Sequence, residues 1–77
     1  MIYTAFDPKE VTGEVLLKDR QLMELWKWAA DDGQIEAVSI GGKNYVVVKD
    51  DDLVRRISEA AGQLQHHQYD EEARALV

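Results

Sequence analysis

The chain has no cysteine. That absence excludes a disulfide frame, a thiolate metal site and a cysteine nucleophile, and it fits a reducing compartment. There is one proline and there are five glycines, and no stretch has the composition of a linker or a low-complexity segment. No apolar run approaches the roughly 20 residues that a membrane-crossing helix needs. The opening Met1-Ile2-Tyr3-Thr4-Ala5-Phe6-Asp7 lacks a basic start and a long apolar stretch, so no secretory leader is expected and the expected location is cytoplasmic. At 77 residues there is room for one domain with a modest core. A multi-step enzyme with a deep cleft is not expected at that size. What is present, 45% hydrophobic and 31% charged residues, is the composition of a folded globular domain and not of a disordered chain.

Positive charge is also scarce. Fifteen acids against nine bases leave a formal charge of −6, which favours solubility and repels nucleic-acid phosphates unless the bases gather on one face. Five of the nine bases, Lys18, Arg20, Lys27, Lys43 and Lys49, lie between residues 18 and 49. The segment 35–49 has a small positive excess, with Lys43 and Lys49 against Glu36. A polarised surface is therefore expected.

Local patterns divide the chain into short elements. Ile2-Tyr3-Thr4-Ala5-Phe6 suits an extended arm or edge strand. Asp7-Pro8-Lys9-Glu10 is a helix start, with Asp at the N-cap, Pro at the first helical position and an acid three residues after the cap. Val11, Val15 and Leu16 give that helix an apolar side, weakened by about 1 kcal/mol at Gly13. Asp19 caps a second helix, whose Leu22, Leu25, Trp26 and Ala29 form one stripe. Gly33 is placed to end it in a left-handed conformation. Ile35–Ile40 and Tyr45–Val48, joined by Gly41-Gly42-Lys43-Asn44, read as a β-hairpin. Asp50-Asp51-Asp52 sets acids at the start of a third helix with an apolar face of Leu53, Val54, Ile57, Ala60, Ala61 and Leu64. Beyond Gln65 the pattern thins, so residues 66–77 are expected to extend that helix, fray, or pack on a partner through Tyr69, Leu76 and Val77.

The expected fold is α+β but mostly α. It is a winged helix-turn-helix over residues 1–65, with the two-stranded hairpin as its wing, a C-terminal helix, and a tail over 66–77 that is helical or disordered.

Residues Leu22 to Ile57, LMELWKWAADDGQIEAVSIGGKNYVVVKDDDLVRRI, resemble the recognition-helix, wing and following-helix portion of phage excisionases. They are also similar to the DNA-binding domains of mercury-resistance-type regulators. The resemblance implies a non-enzymatic DNA-binding accessory or regulatory protein of phage or mobile-element origin. It implies that Arg20, Gln21 and Lys27 contact duplex DNA from the second helix, and that Lys43 and Asn44 do so from the wing tip. Arg and Gln suit base edges and Lys suits phosphate.

The charge supports a second expectation from a different class. On it the chain is an acidic protein–protein interaction module, an inhibitor or DNA mimic that engages a basic protein, or one that pairs with itself. Trp28 lies off the apolar stripe, and an exposed Trp often marks a partner contact; Trp28 and Tyr69 are the candidate interface residues. Metal, cofactor and catalytic readings are weaker. His66, His67 and Asp70 supply too few ligands for a zinc site. Asp50-Asp51-Asp52 is explained as a helix start, and Gly41-Gly42 lacks the helix and Lys-Ser/Thr of a phosphate loop. Neither Ser39 nor Ser58 has a base near it in sequence.

Overall fold

A computed structural model describes residues 1–62 and 64–76. In chain order the elements are β1 (Ile2–Phe6), α1 (Pro8–Glu10) running directly into a π-helical stretch (Val11–Leu16), α2 (Arg20–Asp31), β2 (Ile35–Ile40), β3 (Lys43–Val48), α3 (Asp51–Ala61), β4 (His66–Asp70) and β5 (Ala75–Leu76). The strands form one antiparallel sheet in the order β2-β3-β1-β4-β5. The helices pack on one of its faces. No described helix is long and apolar enough to cross a membrane.

The helix starts arise as their residues dictate. Asp7, Asp19 and Asp50 are extended N-caps, and their carboxylates accept from Lys9 N–H at 2.9 Å, Leu22 N–H at 3.1 Å and Leu53 N–H at 3.2 Å. After α1 the backbone widens. Val11 and Leu16 are five residues apart, and the i→i+5 winding of a π-helix brings such positions onto one side. Val11, Val15 and Leu16 are all buried there. α2 ends where Gly33, at φ +80°, lets Gly33 N–H donate to Ala30 C=O and Gln34 N–H to Ala29 C=O. The hairpin turns at Gly41 and Gly42, both at positive φ, as a two-residue loop between right-twisted strands requires.

The mostly helical winged fold does not form. The hairpin is no free wing, because β3 pairs on its other side with β1 at Thr4↔Val48, Ala5↔Val47 and Phe6↔Val46. β1, expected to be an arm or edge strand, lies at the centre of the sheet. Its second side pairs with β4, made from residues expected to be helical or disordered, with Tyr3↔Tyr69, Ala5↔His67 and Phe6↔His66 in register. α3 stops at Ala61, so Leu64 packs on the core from beyond the helix. The physical reason is pairing. A lone hairpin is marginal in water, and here it is stabilised by strands from the two ends of the chain, which no local pattern announces. Leu76 lies in β5, and Val77 lies outside the described residues.

Alternation along the strands builds two apolar layers. Phe6, Val46 and Val48 face the helices and meet Val11, Leu22, Leu53 and Ile57. Ala5, Val47 and Tyr69 face the other way, under Tyr3, Tyr45, Val38 and Ile40. Phe6 is wholly buried, so Phe6→Ala is expected to cost about 3–5 kcal/mol, read as a lower urea midpoint. Ending the chain after Gln65 removes β4 and strips one side of β1. Its expected result is loss of the cooperative unfolding transition in urea, whereas a dispensable tail would leave the midpoint unchanged.

Candidate functional site

α2 and α3 lie side by side, and at one end of the pair they leave an apolar side chain in solvent. Along α2, Leu22 and Ala29 are buried and Met23, Leu25 and Trp26 pack against the same core. Trp28 lies outside that stripe and is 52% exposed. It opens onto a shallow notch of about 300 Å³ that it lines with Leu25 of α2 and with Asp50, Asp52 and Arg56 at the start of α3. The Asp50 carboxylate caps α3 through one oxygen, bound by Leu53 N–H. Asp52 holds Arg55 at 3.0 Å, and Arg55 reaches Glu59 at 3.6 Å. The hydrogen bond from Arg55 to Asp52, then the negative charge of Asp52 and Glu59, keep that guanidinium above its ordinary pKa. Asp31 and Asp32 follow Trp28 within one turn at the end of α2.

The candidate DNA contacts fall into separate groups. Arg20 opens α2 and is exposed, as are Gln21 and Lys27. Gln21 borders a groove with Asp19, Arg55, Arg56 and Glu59. Lys43 and Asn44 begin β3 and border a different depression, of about 450 Å³, with Asp7, Glu10, Tyr45 and His67. Neither of these two depressions joins the α2 residues to the hairpin tip. Of the five central bases, Lys18 pairs with Glu14 at 3.5 Å and Lys49 with Glu36 and Glu71. Arg20, Lys27 and Lys43 form no ion pair among the described residues. Tyr69, a candidate interface residue, is instead buried on β4 at 6% exposure. His67 stacks edge-on with Tyr45 at 5.8 Å, and His66 lies near Phe6 at 6.2 Å. Among the described residues no three His, Asp or Glu side chains are grouped to hold a metal.

The strand reading misses one cluster. On the sheet face away from the helices, Lys49 Nζ lies 3.4 Å from Glu36 and 3.6 Å from Glu71, and 5.5 Å above the Tyr3 ring. It ties β2 to the turn after β4 across the centre of the sheet. Only an acid run after Lys49 was visible in the sequence, and that pointed to the next helix. No protein-family model, curated protein or solved structure matches the chain.

Desolvation works to lower the Lys49 pKa, but Glu71, Glu36 and Tyr3 outweigh it, and the ammonium stands above its usual value of 10.5. A lysine pKa raised on folding adds stability that is complete below the unfolded value and disappears as pH rises through the native one. Lys49→Met is therefore expected to be less stable than the parent at neutral pH. The gap should close as pH climbs past 10.5, as followed by urea unfolding across that range; a gap independent of pH would mean the lysine acts by packing alone.

Proposed function

We propose that the protein is a non-catalytic interaction module that engages a basic protein segment at the Trp28 notch. The observation that carries this reading is a half-exposed tryptophan beside Asp50 and Asp52. An exposed indole next to carboxylates suits an arginine or lysine side chain. The ring face attracts the cation and the carboxylate accepts its hydrogen bonds. Asp50 Oδ2 has no hydrogen-bond partner among the described residues and is open to such a donor. Arg56 lines the same notch and repels a cation from its own side, which leaves the Asp50 side as the favoured one. The overall charge of −6 adds long-range attraction for a basic partner and speeds encounter.

The reading is tested by titrating arginine-rich and lysine-rich peptides into the full chain and into Trp28→Ala at physiological salt. Trp28→Ala removes no charge. A tryptophan at the centre of an interface contributes about 2 kcal/mol or more, so the variant is expected to bind about thirty-fold more weakly. Equal affinity for parent and variant would reduce the attraction to net charge and overturn the site. Tight binding of duplex DNA, lost on Arg20→Ala with Lys43→Ala and untouched by Trp28→Ala, would replace this function with DNA binding.

A further inference from the structure

β2 is an edge strand of six residues, Ile35–Ile40, and its outer side has no described partner. Its register with β3 is unbroken from Ile35↔Val48 to Ile40↔Lys43, so no bulge turns the edge away. It contains no proline and no lysine, and its only charge, Glu36, is already held by Lys49. Edge strands in soluble proteins ordinarily carry such protections, because unpaired backbone groups are a template for another strand. This one carries only Glu36.

The backbone says which groups are open. Lys49 N–H donates to Gln34 C=O at 2.7 Å, and in an antiparallel ladder every second residue then bonds inward. Glu36, Val38 and Ile40 turn their N–H and C=O to β3, while those of Ile35, Ala37 and Ser39 point outward. These outward residues are symmetric about Ala37. On the helix side of the sheet Ala37 and Ser39 are themselves exposed, so no helix overhangs that rim.

We infer that β2 is a self-association edge, on which a second copy of this chain adds its own β2 antiparallel across a two-fold axis through Ala37. In that register Ala37 pairs with the partner's Ala37 and Ile35 with the partner's Ser39. Every outward N–H and C=O of the two strands finds a mate. Glu36 then faces the partner's Val38. An axis through Glu36 would oppose two carboxylates, and one through Val38 would leave Ile35 opposite the glycine turn. The same register sets each hairpin tip beside the other copy's turn at Gly33. The outward groups of β2 are matched in number and phase by the same groups of a second copy, and this self-complementarity selects a second copy over an unrelated strand. The repulsion of two chains of charge −6 is screened beyond about 8 Å at physiological salt. This inference is independent of the Trp28 notch.

Sedimentation equilibrium of the full chain at sub-millimolar concentration and physiological salt is expected to give twice the chain mass. Ala37→Pro removes an N–H that points away from β3, a substitution edge strands accept. Ala37→Lys sets two ammonium groups against each other on the axis. Both are expected to halve the mass without altering the far-ultraviolet circular dichroism, and Trp28→Ala is expected to keep the double mass. In the unmutated protein the amides of Ile35, Ala37 and Ser39 are expected to exchange more slowly at high concentration than at low. A single-chain mass for the parent overturns the inference. So does a folded Ala37 variant of double mass, or a dimer lost on Trp28→Ala and retained in Ala37→Lys. If neither Ala37 variant folds, the amides decide, and exchange that does not depend on concentration overturns it.

Discussion

The structure depends on β1 being paired along both of its sides. Ala5 and Phe6 are neighbours in sequence, so their side chains leave opposite faces of the strand, and both are wholly buried. Phe6 roots the layer under the helices and Ala5 the layer under the tyrosines. A five-residue strand can serve two cores only if neither of its edges meets water, and β3 and β4 meet that need from distant parts of the chain. In a cysteine-free chain of this length there is no covalent substitute for such pairing.

The helix layer follows from local chemistry and is anchored to that sheet. Three aspartates begin three helices at the positions where their side chains take up free N–H groups. The acids in the first turn of α3 also lie where the helix dipole favours negative charge. Part of the surplus negative charge is thus a by-product of starting helices economically. In the proposed function it counts where an apolar group is left among the acids, and Trp28 is that group.

This difference between local and distant causes explains what could be read in the sequence. Asp7, Asp19 and Asp50, the glycine at the end of α2 and the glycine pair of the hairpin each act within a few residues, and their roles were legible. The central place of β1 was not, because alternation in Ile2–Phe6 describes a strand without saying whether one side or both is paired. His66–Asp70 was less legible still. HHQYD has little of the β-branched content that marks strands, and it is extended because β1 had a vacant side. At the site, Trp28 was recognisable from its place off the stripe. Tyr69 was misjudged since its burial depends on that same unforeseen strand, and the Lys49 cluster brings together residues from two strands, the end of a third and a turn. The caps, stripe and turn residues over Leu22–Ile57 caught the order of α2, hairpin and α3 but not the strands that flank them.

One junction lies between the surfaces proposed for partner binding and for self-association. At the end of α2, Gln34 N–H bonds to Ala29 and Asp32 N–H to Trp28, while Gln34 C=O accepts from Lys49 at the end of β3. The turn that closes the helix therefore also opens the hairpin ladder. The apolar stripe of α2, buried at Leu22 and Ala29, decides which side of the helix faces the core and leaves Trp28 outside. The two-residue turn at Gly41 and Gly42 sets the register of β2 on β3, and the bond from Lys49 N–H to Gln34 C=O continues the same phase, so the groups of Ile35, Ala37 and Ser39 stay outward. A slip of one residue in the hairpin would reverse the hydrogen-bonding face of the edge and leave the indole where it is. The exposed indole and the open edge thus have separate local causes that meet at the turn of Gly33.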